Sequence, residues 1–485
     1  MLSDGLKYYD SRLEDEDVFK NNLIPMPISN TKKIKAGGPV LCRTGNTVYI
    51  DDSELHSLII GDTGSMKTLR FVLPLIYSLS TAEESMVIVD PKGELARKTE
   101  NHLKACGYNV CILNWRFPEK SPDTWNPLQR AEQEYRKGGS RKSVAFNLIN
   151  DLIDKLFMKR STADKDIFWN ETAGHIALGI CKLILTLEEK LSIQSLLDWR
   201  FSKLSDGTLR RCFEALSPES EIYRNLAGYM GLTAENTKSC IESTFDHLTG
   251  LFSASDSLTH MMSESSFDLN KIGEEKTAVF LVVPDEKTTF HFLATLFVSQ
   301  CYECLLERAE DHSGRLPKRV NFILEEFCNM PKLNDLSAML TAARSRNIRF
   351  QLVIQSYGQL ADKYGDKICR TVFDNSGNLI YLHTREMEFL EYISKLAGRD
   401  ENNRPIFPTS RLQHLAKNET IIFHDRCYPI VVKDLPLIFE YPMVIGNTRI
   451  DGDDNEIDDP PMEKSEKEDC KRVWKNNNLI ITENS

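Results

Sequence analysis

No stretch of the 485-residue sequence supplies the roughly 18 uninterrupted apolar residues that a membrane-spanning helix needs. The longest apolar stretches, Ala173–Leu187 and Phe290–Leu306, are broken by His175 and Lys182 and by Gln300 and Glu303. The first residues, MLSDGLKYYD, are polar and acidic, so no signal peptide is expected. The twelve cysteines lack framework spacing, which excludes a disulfide scaffold and points to reduced thiols in a cytoplasm. Cys301-Tyr302-Glu303-Cys304 has metal-like spacing, but no second Cys pair or His pair accompanies it, and buried thiols on a helix are expected. Asp451-Gly452-Asp453-Asp454-Asn455 opens like a calcium loop, yet Glu456 and Met462 stand where Gly and Glu are required. No internal repeat and no aromatic-interleaved stacking platform is visible.

What is present is ordinary globular material: 41% hydrophobic, 27% charged and 9% aromatic residues. The length suggests two or three domains with a sizeable core. The net charge is −11, but ten acids against Lys464 and Lys467 between Asp451 and Cys470 account for −8, leaving −3 elsewhere. A near-neutral body does not argue against nucleic-acid binding, which depends on local basic surface.

The first 50 residues carry turn signals (Pro25, Pro27, Gly37-Gly38-Pro39) and only short apolar runs. Ser57–Ile60 then reads as a buried strand, followed by Gly61–Thr68 and a helical face of Leu69, Val72, Leu73 and Ile76, in which Pro74 is expected to kink or shorten the helix. Met86–Asp90 and Val110–Leu113 are further buried strands, and the alternation predicts an α/β domain with a parallel sheet. From about 143 to 270 the spacing is helical and β-branched runs are scarce. Strands return at Val279–Val283, Asn321–Phe327, Phe350–Ser356 and Asn378–Thr384, with Thr420–Phe423 and Tyr428–Val432 as an edge hairpin. Helical stretches are expected over Thr289–Ala309 and Asp335–Arg346. Beyond Tyr441 periodicity is lost.

The strongest chemical signal is the run Gly61, Asp62, Thr63, Gly64, Ser65, Met66, Lys67, Thr68 between a strand and a helix. A phosphate-binding loop needs glycine-assisted backbone N–H groups, a Lys for the phosphates and a Ser/Thr hydroxyl for Mg²⁺. Met66 occupies the position where the pattern has Gly, and its Cβ is expected to crowd the loop or the bound phosphate. Glu325 and Glu326 end an apolar run, as a magnesium-side acid and a general base would. Each signal alone also suits a blander reading, a plain strand–turn–helix junction or two solvated acids at a strand end.

GDTGSMKT (61–68), IVDPKGEL (88–95), TWNPL (124–128), FWNETA (168–173), VVPDEKTT (282–289), LEEFCNMPK (324–332), TAARSRNIR (341–349) and VIQSYGQL (353–360) stand in order along the chain. Together they resemble the TraG/TraD-type coupling proteins of type IV secretion and conjugation, hexameric P-loop ATPases related to the FtsK/HerA translocases. The resemblance runs from about His56 to Tyr441. It implies ATP and Mg²⁺ as cofactors, with Lys67 on the terminal phosphates, Thr68 and Glu325 on the metal side, and Glu326 as base. Gln355 takes a sensor-like position, and Arg344 or Arg346 that of an arginine finger serving a neighbouring subunit, though a solvated helix face suits either arginine equally well. Asp90 and Lys92 fall in a family motif whose role is structural or close to the phosphates.

Three departures from the family pattern stand out: Met66 for Gly, Glu325 for Asp, and no amino-terminal membrane helices. The fold expected is a RecA-like P-loop NTPase with a mainly parallel sheet, interrupted by an all-α domain. Its parts are an amino-terminal segment (1–30), the nucleotide-binding domain (31–142 and 271–441), the all-α domain (143–270) and a disordered acidic tail (442–485). The expected function is ATP-driven transfer of a relaxase–DNA or other secreted protein substrate by a ring of six copies. Such a ring would work in the cytoplasm, meeting the secretion channel or the inner membrane face through a partner. A degenerate nucleotide-binding scaffold and a soluble HerA/FtsK-type translocase are the alternatives. Phosphate-contact candidates in and beside the helical part are Arg136, Lys137, Arg141, Lys142, Lys159, Arg160, Arg210 and Arg211, each also readable as ordinary surface charge.

Overall fold

Apolar runs bounded by turn residues become the strands of the first of two units, which comprises Met1–Arg116 with Leu269–Ser485; Phe117–Asp268 forms the second. The computed structural model describes residues 12–29, 32–158, 167–253, 255–284, 290–444 and 448–450. Lys159, Arg160, part of the 282–289 motif and the acidic segment from Asp451 lie outside the described residues.

The strands are β1 (Ile24–Pro27), β2 (Val40–Thr44), β3 (Thr47–Ile50), β4 (Ser57–Gly61), β5 (Ser85–Asp90), β6 (Asn109–Asn114), β7 (Thr277–Val282), β8 (Val320–Leu324), β9 (Ile348–Ile354), β10 (Asn378–His383), β11 (Glu419–His424) and β12 (Ile430–Lys433). Among the described residues the central sheet has nine strands in the order β12-β11-β10-β4-β9-β8-β5-β7-β6. From β10 to β6 every neighbour is parallel, while β11 and β12 close the edge antiparallel, as the hairpin pattern predicts. β4, β5, β7, β8 and β9 are buried along their whole length, which is why they read as unbroken apolar runs rather than alternating ones.

Three local expectations are corrected. The first 50 residues contain a small antiparallel sheet, β1-β3-β2, whose four- and five-residue strands are too short to announce themselves. β8 stops at Leu324, because Glu326 turns the chain with φ of 49° and the next turn, Phe327–Asn329, is 3₁₀. At Pro74 the irregularity takes the form of a π-helical turn, Thr68–Val72, that runs directly into the α-helix Leu73–Thr81, so the α-helix begins only one residue before the proline. Beyond Tyr441, Thr448–Ile450 is packed against the first unit. The Arg449 Nε donates to Glu100 at 2.6 Å, and Ile450 is buried, with its Cδ1 2.8 Å from where a Cβ on Gly93 would lie.

The second unit is helical, and no strand occurs among its described residues. The 20-residue helix Ile167–Thr186 buries Ile176, Ile180 and Ile184, the helical spacing visible in the sequence, while the stretch 117–142 packs within this same unit. No helix of the described residues is long and apolar enough to cross a membrane.

Arg349, inside the apolar run of β9, is fully buried among named partners. Its guanidinium donates to Asn321 Oδ1 (2.9 Å), the Ser53 carbonyl (2.8 Å), the Gly37 carbonyl (2.8 Å) and Glu84 Oε2 (3.1 Å). It thereby ties the amino-terminal segment to β5, β8 and β9. Removing one partner of such a buried network leaves uncompensated charge, so Arg349→Ala is expected to lower stability by about 3–5 kcal/mol, read as the shift in a denaturant midpoint. His56 accepts from the Phe350 N–H at Nδ1 (3.0 Å) and donates from Nε2 to the Leu340 carbonyl (2.9 Å), and burial lowers its pKa to about 4. Because the folded value lies below the unfolded one, its contribution is complete above about pH 6.5 and is lost as pH falls towards 4. An NMR titration should show the His56 ring neutral down to pH 5.

Candidate functional site

The site is built at the carboxyl ends of β4, β9, β8 and β5. After β4, Gly61 is needed for close approach: a Cβ there would lie 2.4 Å from Ser65 Oγ. Ser65 Oγ donates to the Asp62 carbonyl at 2.7 Å, and Gly64 takes φ of 81°, so the chain curls back on itself. Thr63 and Gly64 face solvent. Met66 takes φ of 63°, and its side chain packs against the hydrophobic core. The demand at position 66 is therefore a left-handed backbone, which costs a non-glycine residue roughly 1–2 kcal/mol.

Lys67 is buried beneath the loop, its ammonium donating to the Gly61 carbonyl and, at 3.2 Å, to the Asp62 carbonyl. Burial lowers its pKa, while Glu326, Glu325 and Asp62 oppose that shift. Thr68 donates from its hydroxyl to Glu325, so the loop and the end of β8 are in direct contact. Glu325 is almost fully buried. Burial pushes its carboxyl up to about 8 despite the Thr68 hydrogen bond, and the charges of Asp90, Glu94 and Glu326 add to the rise. Asp90, at the end of β5, accepts from the Ala96 N–H at 2.9 Å, and its other oxygen is buried without a partner; burial raises this carboxyl to about 6. Lys92 is exposed.

This acid-rich pocket suits a cation. Among the described residues no group of three His, Cys, Asp or Glu can hold a metal by itself. The Thr68 hydroxyl and the Glu325 acid are the groups that would hold Mg²⁺ taken up with a nucleotide. The donor set of Lys67, Thr68 and the loop backbone fits ATP in the same way.

Glu326 lies in the left-handed region, and both of its carboxylate oxygens accept from the Gln355 side-chain nitrogen, at 2.9 and 2.8 Å. Gln355 follows β9, which runs between β4 and β8, so it emerges between the phosphate loop and the acids. Arg344 and Arg346 are not part of this assembly. They form a 3₁₀ turn before the start of β9, roughly 20 Å of strand from the Gln355 end.

Sequence reasoning missed two groups. His383, at the end of β10, binds Asp62 Oδ2 through Nδ1 at 2.8 Å, and Glu386 binds the N–H groups of Tyr357 and Gly358 at 2.9 and 2.7 Å. Neither belongs to a spacing pattern; only the pairing of β10 with β4 brings them near. The basic candidates of the helical unit are mostly spoken for. Arg136 pairs with Glu132, Lys137 and Arg141 share Glu134, and Lys142 lies over the Tyr135 ring at 4.7 Å. Arg211 donates to Thr208 at 2.8 Å, and Arg210 is exposed.

The family model described as type IV secretory system conjugative DNA transfer matches residues 12–406. A conjugal transfer protein TraG of Rhizobium radiobacter is 22% identical over 442 residues, covering 84% of this chain and 63% of that protein. The protein VirD4 of Agrobacterium fabrum (strain C58) is 26% identical over 364 residues, covering 72% and 50%. This chain therefore spans between half and two thirds of those relatives' length. Among solved structures, the plasmid coupling protein TrwB in complex with the non-hydrolysable ATP analogue ADPNP superposes with a TM-score of 0.62 at 18% identity, covering 90% of this chain and 96% of that one. TrwB in complex with ADP and Mg²⁺ gives 0.60 at 17% identity, covering 88% and 93%. These likenesses show a shared RecA-like fold.

If Met66 costs only backbone strain, Met66→Gly should change stability by less than about 1 kcal/mol, since relief of strain offsets glycine's entropy and the lost packing. Titration with a fluorescent ATP analogue should then give affinities within about threefold of each other. A tenfold gain on Met66→Gly would restore the crowding explanation.

Proposed function

The chain belongs to the type IV secretory system conjugative DNA transfer family, and from that membership we propose that it is a Mg²⁺-dependent ATPase that couples nucleotide hydrolysis to the transfer of DNA. The observation that carries this reading is the convergence of Lys67, Thr68, Glu325 and Glu326 at one sheet edge, with Gln355 on Glu326. A nucleotide's terminal phosphates would draw the Lys67 ammonium away from two backbone carbonyls, a weaker pair of acceptors than phosphate oxygens. Glu326 takes the proton of the attacking water, and Gln355 keeps its carboxylate aimed. Thr68 and Glu325 are the residues that would hold Mg²⁺, which neutralises charge developing on the phosphates.

Arg344 and Arg346 are a strand's length from their own site, so in this reading they serve a neighbouring copy in a ring of six. DNA and a relaxase or other secreted protein are the proposed substrates, and a secretion channel or membrane partner the docking point for a protein working at the inner face of the membrane. A scaffold that binds nucleotide without turning it over is the second reading, favoured by the strained Met66.

Lys67→Ala should abolish ATP binding. Glu326→Gln should bind ATP within about threefold of wild type while hydrolysis falls by roughly 10²–10⁴. Equilibrium binding and phosphate release measured on both variants check this, and a Glu326→Gln protein hydrolysing at the wild-type rate removes Glu326 from its role.

A further inference from the structure

Gln355 can hold Glu326 only if the chain that carries it is itself held. Gln355 lies in the two-residue link between β9 and the helix Tyr357–Tyr364, whose first turn Ser356 caps by accepting from the Gln359 N–H at 3.2 Å. That leaves the N–H groups of Tyr357 and Gly358 pointing out of the helix. Glu386 takes both, one oxygen each, at 2.9 and 2.7 Å, and its negative charge also suits the positive end of the helix. The fit is close: a Cβ on Gly358 would lie 2.5 Å from Glu386 Oε1.

The other end of the same helix grips the chain that follows Glu326. Lys363 donates to the Cys328 carbonyl at 2.7 Å and to that of Met330, and the Tyr364 hydroxyl accepts from the Leu333 N–H at 3.1 Å. The Tyr364 ring stacks on Phe327 at 5.6 Å. One short helix therefore fixes the residue that aims Glu326 and the turn that Glu326 begins. Glu386 is fixed in turn by the end of β10. Its N–H donates to Thr384 Oγ1 at 3.3 Å, three residues after His383 binds the phosphate-loop Asp62.

We propose that Glu386 is a positioning residue of the nucleotide site, which holds Gln355 on Glu326 by clamping the start of the helix Tyr357–Tyr364. The turn His383–Glu386 thereby braces the phosphate loop and the base from one strand end. The proposal rests on the reading of Glu326 as base, and it makes no contact with nucleotide necessary for Glu386.

The test has two arms on the full chain. In hydrogen exchange, Glu386→Ala and Gly358→Ala should speed exchange at least tenfold in segments 355–360 and 325–333, with β7 unchanged. Loosening of 355–360 alone, or of neither segment, overturns the proposal, whatever the protein does with ATP. In kinetics, Glu386→Ala should lower kcat at least tenfold with nucleotide affinity within twofold, and Glu386→Gln, which retains one acceptor, should fall between. In a Gln355→Ala background, Glu386→Ala should cost less than twofold more, because the step it supports is already lost. Additive losses, or Glu386→Ala turning over within twofold of wild type, overturn the proposal. Absence of turnover in the wild type counts against the ATPase reading instead, and the exchange arm still decides the role of Glu386.

Discussion

Parallel pairing of β4, β9 and β8 is the constraint on which the rest of the molecule depends. β4 leads into the loop Gly61–Thr68, β8 into the acid pair Glu325–Glu326, and β9, hydrogen-bonded to both, delivers Gln355 between them. Because the three strands share direction, their carboxyl ends meet at one edge and their amino ends at the other. The same geometry that gathers Lys67, Glu325, Glu326 and Gln355 sends Arg344 and Arg346 away. In the proposed ring, those arginines would complete the site of a neighbouring copy.

The edge is also where strain and unfavourable burial collect. Met66 and Glu326 both hold left-handed backbone, and Asp90 and Glu325 are carboxyls kept from water with raised affinity for protons. These features each cost free energy, and they persist because the fully buried parallel strands that end here fix the surrounding backbone. In the proposed function, a nucleotide with Mg²⁺ would supply anions for Lys67 and a cation for the acids.

How much of this could be read from the sequence follows from where the information sits. Strands buried on both faces appear as runs such as MVIVD and FQLVI, so the fold class was legible, and the loop Gly61–Thr68 is local by nature, so the candidate site residues could be named from it. The Glu325–Glu326 pair was legible, but not that β8 ends before it, since that depends on the backbone turn at Glu326. Arg349 interrupts an apolar pattern and gave no hint that Asn321 lies on the neighbouring strand β8 and Glu84 just before β5. His383 and Glu386 act through the pairing of β10 with β4, which joins residues more than 300 positions apart. Basic residues such as Arg136 and Lys137 looked available for phosphate, yet Glu132 and Glu134 are beside them on the same helix face.

Whether this edge is a working catalytic site is decided most directly by Mg²⁺-dependent ATP hydrolysis of the unaltered chain, with and without single-stranded and duplex DNA. The account predicts turnover that requires Mg²⁺ and rises when DNA is added. Tight ATP binding with no hydrolysis under any of these conditions would contradict it and leave a nucleotide-binding scaffold in its place.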